Sequence, residues 1–291
     1  MTIPARRRVV PSAVWEWAAG ALRDVGAARP KVIRRVDGIQ ATILVVGESG
    51  DSPLFAIKVF RHDPASAGLL SREVTALGAF HEALAGRDDL GCPRPIASSA
   101  DLLCYLMTYE AGSPIESAAR PSSPAYGEIV DRLLAGLGLF YDAVGDIYGD
   151  FHPGNVLVAR GQRVILLDPG VPNPINPTFQ RLADELRFSP ASVDLGYWTF
   201  TVSSRTARLA VVRPPAVVRR WRLTEELLPR AAHRMAPAGE ADRFLTEVLE
   251  AAGAYLAWMR GHAGRRGPVL SAIGGATARR LVRRSRRRVA A

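Results

Sequence analysis

Two carboxylates and an amide stand close together in the order Asp150-x-x-x-x-Asn155, apolar run, turn, apolar run, Asp168. The apolar runs Val156 to Val158 and Val164 to Leu167 flank Gly161-Gln162, which predicts a hairpin. With those two residues at the tip, Val156 opposes Leu167 and Asn155 opposes Asp168. An amide oxygen and a carboxylate then meet at the open end of the hairpin. Mg²⁺ usually accepts one or two protein oxygens, completed by phosphate and water. Alone, the pair suits a turn cap and a loop start even better, since Asn and Asp are common in both places. Asp150 shifts that balance. A carboxylate held beside a metal-bound phosphate can accept or orient the proton of an attacking hydroxyl. His152 lies in the same loop and is expected to make structural hydrogen bonds, with a second catalytic role as the alternative.

Lysine is rare in this chain: Lys31 and Lys58 are the only two among 38 basic residues. In Leu54-Phe55-Ala56-Ile57-Lys58-Val59-Phe60, Lys58 shares a strand face with Ala56 and Phe60. An ammonium on so apolar a face is costly unless it is paired. The helix that follows offers a partner, because Leu69, Glu73 and Leu77 are spaced by four and Glu73 therefore falls on the apolar side. A Lys58–Glu73 ion pair satisfies both charges and aims the ammonium at a nucleotide's phosphates. The competing picture is an edge strand with Lys58 in water and Glu73 at the margin of its helix.

Ala-Ile-Lys, a Glu on the next helix, Asp-x-x-x-x-Asn and Asp-Pro-Gly follow one another in the order that resembles the protein-kinase-like superfamily. Within it the chain looks most similar to aminoglycoside phosphotransferases and related small-molecule kinases, with ubiquinone-biosynthesis-type atypical kinases near. The stretch Gly149 to Val158 looks very like their catalytic loop, and the resemblance covers roughly residues 31–200. It implies a two-lobed α+β protein-kinase-like fold. In that fold a small antiparallel β-sheet lobe with one helix precedes a larger, mainly helical lobe. It also implies ATP and Mg²⁺ as cofactors, with Asp150 as the catalytic carboxylate and Asn155 and Asp168 holding the metal. Lys58 then contacts the α- and β-phosphates and Glu73 orients it. The segment from Tyr105 to Gly112, with Tyr109 and Glu110 in it, meets adenine through backbone groups. Asp194 anchors the catalytic loop from below. The expected activity is transfer of the γ-phosphate of ATP to a hydroxyl of a small molecule. The alternatives are a nucleotide-binding pseudokinase with a basic C-terminal surface, or a protein Ser/Thr kinase.

The chain departs from the family pattern at three places. Tyr148 stands where protein kinases usually place His, and Pro169 where Phe or Trp is usual. No G-x-G-x-x-G precedes Lys58; only Gly38 lies in the first turn. From Asp168 the chain reaches Val193-Asp194-Leu195-Gly196 quickly, which leaves little room for a regulated peptide-docking loop.

These residues need a scaffold, and periodicity and turn chemistry outline one. An amphipathic helix is expected from Ser12 to Val25, then strands Val32 to Val36, Ala41 to Val46 and Leu54 to Phe60. Asp63-Pro64 makes a good start for a helix running to about Leu84. Gly91 to Pro95 reads as a breaker and Leu102 to Tyr109 as a further strand. A helix over Tyr126 to Val144 carries Leu133, Leu134, Leu137 and Phe140 on one stripe. Helical patterns recur at 194–203, 218–235, 239–261 and 272–287. The expected organisation is a helical extension (1–30), a nucleotide-binding lobe (31–111), a catalytic lobe (112–259) and an Arg-rich segment (260–291).

Composition narrows the classes further. The chain has 291 residues, a hydrophobic share of 48% and charged residues at 23%, which is globular rather than disordered. Cys92 and Cys104 alone are too few for a disulfide framework or a four-ligand zinc site. No apolar run is long enough to span a membrane, and Glu16 and Asp24 interrupt the stretch after Arg6 to Arg8, so no signal peptide is expected. A cytoplasmic, reducing setting is the expectation. The net charge of +10 is concentrated: residues 260–291 hold ten arginines and no acid, which leaves 28 basic against 28 acidic residues elsewhere. Arg279, Arg280, Arg283, Arg284, Arg287 and Arg288 recur at helical spacing. They suit anionic lipid at the membrane periphery, nucleic acid, or an acidic surface of the protein itself. No aromatic residue follows Trp258, which disfavours stacking on single strands.

Overall fold

The computed structural model describes residues 10–38, 41–48, 52–62, 66–118, 123–169, 178, 181–208, 215–262 and 267–290. The chain divides into two compact units: residues 1–82 with 92–111, and residues 83–91 with 112–291.

The first unit is a sheet covered on both faces. Helix α1 (Ser12–Asp24) leads to strands β1 (Lys31–Asp37), β2 (Ala41–Gly47) and β3 (Pro53–Phe60), and helix α2 (Ser66–Ala83) follows. Strand β4 (Leu90–Gly91) belongs to the second unit, and β5 (Pro95–Ser99) and β6 (Cys104–Thr108) complete the first. The antiparallel order β1-β2-β3-β6-β5 puts β3 in the middle. Alternation then assigns its side chains. Ile57 and Val59 pack with Leu44, Val46, Cys104 and Leu106 against Val14, Ala18 and Leu22 of α1. Phe60 packs with Ala41 and Tyr105 against Leu69, Leu70 and Leu77 of α2. Two covering helices explain why β3 is buried without a break from Ala56 to Phe60. Lys58 thus sits in a central strand, not at an edge. The expected cap Asp63-Pro64 lies outside the described residues. Strand β5 escaped the sequence patterns because Pro95, Ser98 and Ser99 are poor strand formers; an edge position tolerates them.

The second unit is mainly helical around a small sheet. Strands β7 (Ser113–Pro114), β8 (Val156–Val158) and β9 (Val164–Leu166) join β4 in the order β4-β9-β8-β7. Its helices are α3 (Ile115–Ala118), α4 (Pro124–Val144), α5 (Pro190–Arg208), α6 (Pro215–Met235), α7 (Ala241–His262) and α8 (Gly267–Val289). Helix α4 starts where Ser123 accepts from the Tyr126 N–H with Pro124 at the first position, and it ends at Gly145 in the left-handed region. Its stripe Leu133, Leu134, Leu137 and Phe140 is fully buried.

The hairpin differs from expectation by one residue. Val156 pairs with Leu166, Leu157 with Ile165 and Val158 with Val164. Asn155 therefore faces Leu167, whose N–H donates to the Asn155 carbonyl at 2.8 Å, and does not face Asp168. The cause lies in the loop. Three residues, Arg160 to Gln162, form it, with Gly161 at φ 70° and Gln162 at φ 60°. Three-residue hairpin loops commonly use a residue in this left-handed region. Arg132 of α4 donates to the carbonyls of Gly161 and Gln162, at 3.2 and 2.8 Å, and ties the tip down.

Helix α5 is the axis of this unit, with Val193, Leu195 and Trp198 fully buried. It approaches α7 so closely at Gly196 that an added Cβ collides with the Cβ of Ala251 and lies 3.2 Å from the Ala252 nitrogen and the Val248 carbonyl oxygen. Gly196→Ala is expected to cost about 1–3 kcal/mol through forced separation of the two helices. The check is thermal unfolding, where each kcal/mol corresponds to roughly 2–4 °C in Tm for a chain of this size.

Candidate active site

Lys58 and Glu73 meet within the first unit. The Lys58 ammonium lies 2.6 Å from Glu73 Oε1, and the two residues are only 7% and 4% exposed. Burial makes the pairing obligatory, since removing one partner of such a pair typically costs about 3–5 kcal/mol. A third group shares the same oxygen. Tyr105 stands directly across from Lys58 in the β3–β6 register, and its buried hydroxyl donates to Glu73 Oε1 at 2.5 Å. Tyr105, the first residue of the segment expected to meet adenine through its backbone, is also a sheet residue whose side chain binds Glu73. Its role was invisible in the sequence because cross-strand neighbours depend on a register that no local pattern states. The Lys58 ammonium also lies 5.1 Å from the centre of the Phe60 ring.

The segment after β6 has part of its backbone already engaged. The Tyr109 N–H donates to the Leu54 carbonyl at 2.9 Å, and the Tyr109 hydroxyl accepts from Arg34 at 3.1 Å. Glu110 follows it, half-buried.

Asp150 and Asn155 meet within the second unit, on a loop suspended from a buried carboxylate. Asp194 of α5 accepts the Gly149 N–H on Oδ1 at 2.8 Å. Its Oδ2 accepts the Tyr148 N–H at 2.7 Å and the Tyr141 hydroxyl at 2.9 Å. Gly149 has φ 88°, a left-handed conformation that other residues reach only at a cost. Aromatic packing holds the loop from inside: Tyr148 against Phe140 at 4.8 Å, and Phe151 against Trp198 at 4.9 Å. The Tyr148 hydroxyl donates to the Leu167 carbonyl at 2.6 Å and so links the loop to the end of the hairpin.

The Asp150 side chain emerges from this pinned backbone and is 38% exposed. Asn155 Nδ2 donates to Asp150 Oδ2 and to the Asp150 carbonyl, both at 3.0 Å. His152 Nδ1 accepts the Gly154 N–H at 2.9 Å, which in the neutral ring puts the proton on Nε2, 3.6 Å from Asp150 Oδ1. The Gly154 bond is a structural hydrogen bond of the kind expected of that histidine. Sequence patterns did not single out Tyr197, one turn after Asp194 on α5. Burial raises its phenol well above the usual range, and the charge of Asp150 and a hydrogen bond to it add to the shift. Tyr197 is therefore a neutral donor to Asp150, packed edge-on against Tyr255 at 5.2 Å. The signal was its spacing of three from Asp194, which lends weight only once α5 is known to run beneath the loop.

Asp168 follows β9 with φ 58°, a left-handed conformation that Asp tolerates better than most residues. Gly170, the last residue of the Asp-Pro-Gly run, and the Pro-rich stretch 171–177 lie outside the described residues.

Neither a protein-family model nor a curated protein sequence matches the chain. Among solved structures it is similar to the Cydia pomonella granulovirus kinase PK-1, at 15% identity and a TM-score of 0.37. That match covers 55% of this chain and 58% of the other, little more than half its length. It is also similar to the Mycobacterium tuberculosis PknI kinase domain, at 20% identity and a TM-score of 0.42, over 77% of this chain and 96% of the other.

Asp194 sets a pH dependence. Burial pushes its carboxyl up to about 7, against the pull of its three hydrogen bonds. An unfolded Asp titrates near 3.9. Between about pH 4 and pH 7 the folded chain thus retains a proton that the unfolded chain has lost. Stability falls as pH rises through that window and levels off above it. Asp194→Asn is expected to remove this decline. It also lowers Tm throughout, because one amide oxygen cannot serve both N–H groups, at about 1–3 kcal/mol. Melting temperatures of both proteins across pH 4.5–8 check this; parallel profiles would show that Asp194 does not titrate there.

Proposed function

We propose that the chain is a kinase-like phosphotransferase that moves the γ-phosphate of ATP, with Mg²⁺, onto a hydroxyl of a small molecule. The observation that carries this is the Asp150 carboxylate. It is accessible, gripped by Asn155 and Tyr197, and mounted on a backbone that Asp194 holds rigid. A carboxylate in that state can take the proton of an acceptor hydroxyl as its oxygen attacks phosphorus. Two donors keep the carboxylate oriented, so little reorganisation is needed at the moment of transfer. Lys58, aimed by Glu73, supplies a fixed positive charge for the α- and β-phosphates. A base resting beside Tyr109 would meet that residue's carbonyl, since its N–H is spent on Leu54.

Asn155 and Asp168 are the residues that would hold Mg²⁺, and their chemistry fits. Asn155 spends its amide nitrogen on Asp150, which leaves the hard amide oxygen for a cation. Among the described residues no group of three or more His, Cys, Asp or Glu could hold a metal by itself. A cation that retains phosphate and water ligands suits so sparse a set. When bound, it neutralises charge on the β- and γ-phosphate oxygens.

A small-molecule acceptor is favoured by the short path from Asp168 to α5 at Pro190, which leaves little chain for docking a peptide. Incubation with Mg·ATP and a panel of hydroxylated metabolites and antibiotics, with a protein acceptor alongside, tests the proposal. Wild type should phosphorylate a small molecule, and Asp150→Asn should lose about 10²–10⁴-fold in kcat. ATP binding without turnover on any acceptor defeats the enzyme reading, and phosphorylation of the protein alone defeats the acceptor class. Lys58→Ala should lose the rise in Tm that ATP gives, measured from its own ligand-free value. An undiminished rise removes Lys58 from the nucleotide site.

A further inference from the structure

The arginines of α8 divide into two sets with different surroundings. One set docks the helix. Arg284 pairs with the buried Glu225 of α6, and Arg288 reaches the Glu225 carbonyl at 2.8 Å and Glu226 at 3.2 Å. Arg286 pairs with Asp242 of α7 at 2.8 Å. Gly274, Ala278, Leu281, Val282 and Ser285 belong to the buried face of α8. These pairs meet the expectation of an acidic surface on the protein itself for part of the Arg-rich segment only.

The other set points away. Arg279, Arg280, Arg283 and Arg287 are exposed, and none has an acidic partner among the described residues; Arg280 lies over the Trp221 ring at 5.9 Å. At 100° per residue these four fall opposite the buried face, within about 12 Å along the axis. The pairs 279/283 and 283/287 place like charges four residues apart, which by itself destabilises a helix. Helix α8 contains no Asp or Glu to relieve them. The same outward stripe continues toward the N-terminus as Val269, Ala272, Ile273 and Ala276, all exposed, with Val269 at 60%.

We infer that the outer face of α8 is a docking surface for an anionic lipid membrane, on which the helix lies flat. Four uncompensated guanidinium groups complement a dense field of phosphates, and their long stems let the charges reach it. The aliphatic half of the stripe selects lipid over nucleic acid. Val269 and Ile273 gain by entering the boundary between headgroups and acyl chains, and gain nothing against a phosphodiester backbone. No helix of the described residues is long and apolar enough to cross a membrane, so the contact is peripheral.

The test is co-sedimentation of the full chain with vesicles of pure phosphatidylcholine or with about 30% phosphatidylserine, at about 0.1 M salt, where charges are screened beyond roughly 10 Å. Wild type should sediment only with the anionic vesicles. Replacing Arg279, Arg280, Arg283 and Arg287 together by Gln should weaken this by about a hundredfold or more and leave Tm unchanged or raised. Val269→Ser with Ile273→Ser should weaken it about tenfold. Failure of wild type to sediment, or equal sedimentation of the four-arginine variant, overturns the proposal. So does tight binding of a DNA duplex that the serine variant retains in full, which assigns the face to nucleic acid.

Discussion

The arrangement around Asp150 depends on one buried carboxylate accepting two adjacent backbone N–H groups. A loop between a helix and a strand has many conformations, and holding one of them costs entropy at every residue. Asp194 offsets that cost at the point where it matters, because Tyr148 and Gly149 immediately precede Asp150. Two N–H bonds to the two oxygens of a single carboxylate set both the position and the tilt of the peptide plane. The left-handed Gly149 then turns the chain so that Asp150 leaves toward solvent while Phe151 returns to the core. Because Asp194 sits on the central helix of its unit, the loop inherits the rigidity of the helical core.

The first unit solves a different problem, that of keeping a lysine buried and charged. In a central strand with helices on both faces an ammonium is costly unless paired, and Glu73 faces it. Glu73 in turn receives Tyr105 on the same oxygen. The hydroxyl spreads the carboxylate charge over two donors and fixes the position of the glutamate. The covering helix α1 matters here too, because it seals the opposite face of β3 and keeps the strand central.

At the C-terminal end the same residue type does two unlike things. Arginines whose guanidinium groups reach Glu225, Glu226 and Asp242 weld α8 to its neighbours, and Arg279, Arg280, Arg283 and Arg287 on the outer face have no acidic partner among the described residues. Of the ten arginines in residues 260–291, three dock α8 through ion pairs and four line one exposed stripe of that helix.

Much of this was legible in the amino-acid order. Alternation put Lys58 on an apolar face, a spacing of four put Glu73 on the apolar side of its helix, and the two pair as expected. The stripe of α4 and the run of helices after Pro190 followed from periodicity alone. These are local properties, since side-chain direction within a helix or strand is set by backbone geometry over a few residues. What needed the tertiary structure were relations between elements. The hairpin register moved by one residue because loop conformation, invisible to hydrophobic pattern, decides which positions oppose. Tyr105 became a partner of Glu73 through strand pairing, Tyr197 a partner of Asp150 through the path of α5 beneath its loop. The sequence alone determined which residues carry charge and which face of their own element they occupy. Only the fold decided which charges meet, because contacts between distant segments depend on register, loop geometry and helix packing together.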